Sequence, residues 1–331
     1  MISPDRLHAD PHWFPQNLDW AEGELVLIPT SRDRLSSQPF MDGRSDFSMG
    51  EPQRLSLSQA LAGSPEQVPQ PDRMIFHVGF CGSTLLATVL DQPGRTFVLR
   101  EPNLLAELAG AHRDGVAIDE ALSFARRLLR RRWSPNEFVV CKPSNWVNNL
   151  LPQFVSEPTA VRPLFMTMNA RSFLVAAFRG GRDRLAFLIR LAAHLSSALE
   201  DGPNLWRIGS VTTADPLDRA ARLVLLAHEL QMRLFAAAQA HGRWDDKHCL
   251  EFSEVQRDLP AAAGKASRAL GLSLSGSELA RAVRLMDDKH AKQTGLHFSA
   301  ARRVCQDRDV EQHHGSRINA ALAWGRSAFT H

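Results

Sequence analysis

Short apolar runs alternate with longer stretches of helical character along most of this chain, and the alternation starts near residue 73. Residues 74–80 (MIFHVGF) form the first run and lead into a helical stretch over 83–90. Residues 96–99 (TFVL) form the second, followed by helical patterns over 102–111 and 118–133. A third run (138–141, FVVC) and a fourth (164–168, LFMTM) precede two strong helices over 183–199 and 215–241. The latter has Asp215 as N-cap, Pro216 in the first helical position and Gly242 as its stop. A fifth run, 249–252, enters Ser253-Glu254-Val255-Gln256, which has capping-box spacing. Helices follow over 256–270 and 277–287, the second box-capped by Ser275 and Glu278. Short strands separated by helices predict βαβ units and an α/β fold, a three-layer parallel sheet covered on both faces.

Residues 1–70 break this rhythm. They are rich in Pro, Ser, Asp and Gln, with one apolar run, Leu25-Val26-Leu27-Ile28. An irregular arm with one strand is expected there, held down by Trp13, Phe14 and Trp20, and residues 64–72 (SPEQVPQPD) read as a linker. The chain thus divides into an arm and linker over 1–72 and an α/β domain over 73–331, whose carboxyl-terminal portion is helical. The tail from Asp288 is polar, with residues 318–329 as a closing helix.

Composition narrows the functional classes. At 331 residues, 44% hydrophobic and 23% charged, the chain can bury a sizeable core. A formal net charge of +3 is too mild to argue for nucleic acid. The basic run Arg126, Arg127, Arg130, Arg131 and Arg132 is interleaved with no stacking aromatics, so it reads as a solvated helix end. Tyrosine is absent, which removes it as an acid, base or nucleophile. Cys81, Cys141, Cys249 and Cys305 form no CxxC pair, residues 1–20 show no basic region followed by an apolar run, and no stretch approaches the roughly 18 apolar residues of a membrane span. A reduced, cytoplasmic protein is the expectation. His8, His12, His313 and His314 fit no structural zinc spacing, and no metal is expected.

The most informative stretch is Gly79-Phe80-Cys81-Gly82-Ser83-Thr84, lying between the first strand and its helix. A strand, a tight glycine turn and a helix opened by two hydroxyl residues aim free backbone N–H groups and the helix dipole at one point, which suits phosphate or sulfate. The same sequence could also be an ordinary βα turn. The nucleotidase pattern G-x-x-x-x-G-K-[ST] is not met, because Gly79 and Gly82 are too close and no Lys precedes Ser83. Neither G-x-G-x-x-G nor G-x-S-x-G occurs here.

The segment GFCGSTLL resembles the loop of the P-loop sulfotransferase family, G-x-x-[RK]-[SG]-G-[TS]-[TS]-x-L. In that family it binds the 5′-phosphosulfate of 3′-phosphoadenosine 5′-phosphosulfate (PAPS). Val98-Leu99-Arg100-Glu101-Pro102 resembles the strand end where heparan-type sulfotransferases place a catalytic glutamate. Val139-Val140-Cys141-Lys142-Pro143-Ser144 resembles their K-[ST]-P segment. Residues 249–255 with Leu270-Gly271-Leu272 resemble Y-E-D-L and F-L-G-L. The resemblance covers roughly residues 74–272 and suggests a divergent, bacterial-type member. The loop here lacks the family's Lys or Arg, and the 3′-phosphate signature R-x-P-x-x-x-x-x-S falls on Met168 and Ala176.

The resemblance implies PAPS as co-substrate, an unknown hydroxyl or amine acceptor, and a sulfotransferase-like P-loop NTPase fold. Glu101 would be the base and Lys142 the cation near the leaving phosphate, with His112 as a second candidate base. Residues 79–84 would hold the donor, and Arg171, Ser172, Arg179 or Arg182 could stand in for the missing 3′-phosphate ligands. His77 reads as a core histidine, and Cys81, lacking a spaced His partner, as a small turn residue. Two other readings stand beside this one: a non-catalytic protein that binds a nucleotide or sulfated ligand, and a kinase-like phosphate-handling enzyme, which the missing loop lysine disfavours.

Overall fold

The computed structural model describes residues 3–20, 22–62, 70–292 and 300–329. Five strands form a wholly parallel sheet: β4 (Asp72–His77), β5 (Thr96–Arg100), β6 (Phe138–Lys142), β7 (Val161–Thr167) and β8 (Cys249–Glu251). These are the five apolar runs, and their order is β5-β6-β4-β7-β8. Helices flank the sheet to give an α/β fold of three layers. The chain leaves β4 toward β5 on one side, then crosses to β7 and β8 on the other. That reversal puts crevices outside the carboxyl end of β4, where sheets of this kind bind ligands. No described helix is long and apolar enough to cross a membrane.

Most helical expectations hold within a few residues. Helix Ser83–Leu90 has the expected limits, and helix Pro216–Gly242 is capped by Asp215, whose side chain accepts from Leu217 N–H at 2.8 Å. The Ser275–Glu278 box also forms, with Glu278 N–H donating to Ser275 Oγ at 3.3 Å and Ser275 N–H to Glu278 Oε2 at 2.6 Å. Helices Leu151–Val155, Ala170–Arg179 and Gly202–Gly209 were not foreseen, and the closing helix expected over 318–329 starts already at Ala300 and runs to Ala328. The helix expected over 256–270 is two helices, Phe252–Arg257 and Leu259–Ala269, because the Asp258 carboxylate accepts from Ala261 N–H at 2.9 Å and Pro260 sits in the first turn of the second. The capping box near residue 253 is built two residues earlier than expected, on Glu251 and Glu254.

The arm carries more structure than the sequence suggested. It holds an antiparallel sheet of β1 (Trp13–Asp19), β2 (Glu24–Pro29) and β3 (Gln53–Ser56), in that order. The expected linker at 64–72 lies mostly outside the described residues, and its end, Asp72, begins β4. Leu7, Phe14, Leu25, Leu27 and Phe47 join one continuous apolar core with the large sheet.

The basic run over 126–132 is not a solvated helix end. Arg126 and Arg130 pair with buried Asp72 at the start of β4. Arg131 donates to three arm carbonyls, Leu7 O (2.6 Å), Asp10 O (2.9 Å) and Trp13 O (2.7 Å). Guanidinium suits this work because its N–H groups fan out in one plane. A second network holds the arm against β5: Arg32 bridges Asp91 (2.9 Å) and Glu137 (2.7 Å), while Arg100 joins Asp91 (2.9 Å) to Ser36 O (2.7 Å) and Gln38 O (2.9 Å).

Replacing Arg131 with Met should therefore leave the Leu7 and Trp13 carbonyls without this donor and lower stability by about 2 kcal/mol or more. The urea midpoint should fall, and limited proteolysis should cut the arm first. Arg132→Ala, at a half-buried neighbour that bonds Pro135 O and Gln70, should cost less, about 1 kcal/mol or under.

Candidate functional site

The site starts with the turn after β4. Gly79, Phe80 and Gly82 all have positive φ, at 87°, 57° and 78°. Glycine adopts this region freely, whereas Phe80 does so at a cost of about 1 kcal/mol. Gly82 is the N-cap of helix Ser83–Leu90 and offers no side-chain oxygen to its first turn. Among the described residues the N–H groups of Phe80, Gly82, Thr84 and Leu85 meet no acceptor and lie at the positive end of the helix dipole, whereas those of Cys81 and Ser83 face the Cys81 sulfur. Both glycines are also closely packed. A Cβ at Gly82 would sit 3.2 Å from the Phe252 ring and 3.3 Å from Val255, and one at Gly79 would lie 3.1 Å from Asn145 Nδ2.

The neighbouring strand ends supply the charged pair. Glu101 follows β5 and Lys142 closes β6, and their side chains form an ion pair. The Glu101 N–H donates to Lys142 O at 2.6 Å. Glu101 also has a left-handed backbone, φ 57°, so two of the three described non-glycine residues with positive φ, Phe80 and Glu101, belong to this site. Strained backbone of this kind concentrates where a side chain must be aimed.

His77 couples the pair to the turn. Its Nδ1 accepts from Gly79 N–H at 3.1 Å, so the ring proton is on Nε2, which donates to Pro143 O at 3.0 Å. Nε2 also lies 3.9 Å from Glu101 Oε1. Burial, reinforced by the Lys142 charge, holds this imidazole well below the usual histidine range and hence neutral. It is a core histidine, as expected, and it takes the N–H of Gly79 out of the free set. Cys81 is wholly buried and its thiol is pushed up to about 11, mainly by desolvation, so it is no thiolate nucleophile.

The arm closes one side of the pair. Met41 N–H donates to Arg100 O at 2.7 Å, and Asn103 N–H to Met41 O at 3.0 Å, which brackets Glu101 and Pro102. The Phe40 ring lies 5.7 Å from Lys142 Nζ, and the Arg44 guanidinium stacks on that ring at 4.3 Å. On the other side, Arg184 stacks on Phe80 at 4.6 Å and Arg303 on Phe252 at 4.5 Å. Asp307 pairs with both Arg179 and Arg303.

Of the residues singled out in the sequence, the turn from Gly79 to Thr84, Glu101 and Lys142 come together. Three others stand apart. His112 is near the end of its helix, about 13 Å along the axis from the residue after Pro102, and hydrogen-bonds Gln153 Nε2 at 3.1 Å. Arg171 is held bidentately by Glu311, at 2.9 and 2.7 Å, and donates to Asn319 at 2.7 Å, all on the carboxyl-terminal helix. The Ser172 N–H is taken by the Asn169 cap at 2.9 Å. Met168 and Ala176 are buried. Phe40, Arg44, Asn145, Arg184 and Arg303 had no local sequence signal, since none lies in a glycine turn or directly at a strand end.

The chain matches no family model, no curated protein and no solved structure.

Two outcomes follow from this packing. Gly82 and Gly94 share a positive φ, but a Cβ at Gly94 meets nothing within 4 Å. Gly94→Ala should cost about 1 kcal/mol of backbone strain, and Gly82→Ala measurably more, compared by urea denaturation. Burial also lowers His77, His194 (to about 4) and His228. The unfolded chain binds these protons near pH 6.5, before the folded chain does. Stability from this source is complete above that pH and lost as pH falls toward 4, at up to about 1.4 kcal/mol per pH unit for each histidine. His194→Gln should flatten this slope in urea midpoints taken between pH 7 and 4.

Proposed function

We propose that this protein transfers a sulfuryl group from PAPS to a hydroxyl or amine acceptor. The observation that carries the reading is the convergence, at the carboxyl end of the central strand, of a turn with free N–H groups and a Lys–Glu pair, with His77 lying between them. Sulfuryl transfer asks for little covalent chemistry from the protein and much positioning and charge neutralisation. The turn would hold the phosphosulfate oxygens, with the Ser83 and Thr84 hydroxyls and the Asn145 amide beside it. The acceptor oxygen or nitrogen attacks sulfur, and the bond from sulfur to the bridging oxygen breaks. Its electron pair leaves on adenosine 3′,5′-bisphosphate, and the acceptor proton passes to Glu101. Lys142 has three N–H donors and gives one to Glu101, so two remain for the leaving phosphate.

A second reading is supported by a specific observation. Lys142 is completely buried and already paired, and the family's 3′-phosphate positions, Met168 and Ala176, lie in the core. A protein that holds a nucleotide or sulfated ligand without turnover has no need of a free Lys142.

Titration with adenosine 3′,5′-bisphosphate and transfer of label from PAPS separate these readings. Under the transferase reading Glu101→Gln lowers turnover by about 10²–10⁴-fold with donor affinity retained, and Lys142→Met lowers both. Bisphosphate binding with neither transfer to any acceptor nor PAPS hydrolysis would leave the binding reading in its place. Failure to bind the bisphosphate at all would remove PAPS as the donor.

A further inference from the structure

Beside the turn lies a cluster of guanidinium groups with too little negative charge to balance it. Arg179 ends helix Ala170–Arg179, Arg184 lies in the first turns of helix Gly181–Ser196, and Arg303 comes from the carboxyl-terminal helix Ala300–Ala328. Arg184 and Arg303 each stack on an aromatic ring belonging to or packed against the turn: Phe80 is part of it, and the Phe252 ring touches Gly82. Burial, together with the like charge of Arg179, lowers both from the usual arginine range. Asp307 is the one carboxylate that pairs with the cluster among the described residues, and it joins Arg179 to Arg303. Arg184 makes a single hydrogen bond there, to Ala176 O at 2.8 Å, and no ion pair.

Three half-buried like charges destabilise a fold unless an anion completes them. We propose that Arg179, Arg184 and Arg303 form an anion subsite beside the turn, and that Asp307 occupies it as an internal counter-anion until a phosphate-bearing ligand displaces it. The inference rests on the preceding section only in that the turn takes an anion; it requires neither transfer nor PAPS. Its chemical basis is bidentate guanidinium recognition, in which a phosphate dianion offers more acceptor oxygens than one carboxylate. Because Asp307 and Arg303 share a helix, the seating of that helix becomes linked to ligand binding. Asp307 therefore competes with the ligand, and removing it should tighten binding. A purely structural ion pair predicts the opposite sign or no change.

The test is calorimetric titration of the full chain with inorganic pyrophosphate and with adenosine 3′,5′-bisphosphate. Asp307→Asn should bind pyrophosphate on the order of tenfold more tightly than wild type, and Arg184→Gln on the order of tenfold more weakly. Arg317→Ala breaks two further ion pairs of the same helix, to Asp215 and to Asp218 at 2.6 Å, and should not tighten binding. Equal or weaker binding by Asp307→Asn, equal binding by Arg184→Gln, or tightening by Arg317→Ala overturns the proposal. Melting temperatures of all three variants, taken without ligand, show whether a loss of affinity reflects unfolding. If wild type binds pyrophosphate with these variant effects but not the bisphosphate, the donor reading fails and the subsite stands. If wild type binds neither, the subsite fails too.

Discussion

An uncharged imidazole sits where three strand ends meet. His77 accepts the Gly79 N–H on one nitrogen and donates to Pro143 O from the other, so the turn after β4 and the segment after β6 are held by the same ring. This works only while the ring is neutral, because a protonated imidazole has no acceptor for Gly79 and would put a second cation beside Lys142. Burial and that neighbouring charge enforce the neutral form. The ring thus anchors the start of the left-handed turn, with Nε2 3.9 Å from Glu101 Oε1.

Arginine carries much of the remaining architecture. A chain with 34 arginines and five lysines could have displayed them to solvent. Several instead satisfy buried carbonyls and carboxylates: Arg131 for the arm, Arg32 and Arg100 for the contact between arm and β5, and Arg126 for the first residue of β4. Such pairs give only modest net stability, since desolvation offsets much of the attraction, but they leave few alternatives for where the arm can lie. That matters for the site, because the arm segment around Met41 brackets Glu101 and brings Phe40 over Lys142. The arm is a wall of the site rather than an appendage.

Much of the fold could be read from local pattern. Each strand of the large sheet is a short apolar run, because a strand buried on both faces needs apolar residues at successive positions. The βα turn was legible because Gly79 and Gly82 relieve a backbone reversal that few other residues tolerate. The three strands of the arm were less legible, since their burial follows neither a continuous apolar run nor a clean alternation and Pro15 sits at a bulge in β1. The split at Asp258 was missed because capping by one carboxylate outweighed a continuous helical pattern.

For the site, the sequence by itself determined the turn and the two strand-end residues, Glu101 and Lys142, since strand ends and glycine turns leave local traces. It could not determine which charged groups find each other. Arg171 was expected at the ligand and is held by Glu311, 140 residues further along the chain. Arg184 and Arg303 lacked any motif, yet they flank the turn through stacking on Phe80 and Phe252. Strand order decides such meetings: the crossover from β6 to β7 carries the later helices to the opposite side of β4, and the last helix folds back on the one that follows β7. Local periodicity records which face of an element is buried, while the partner of a long polar side chain depends on contacts between segments far apart in sequence, which only the packed tertiary structure brings together.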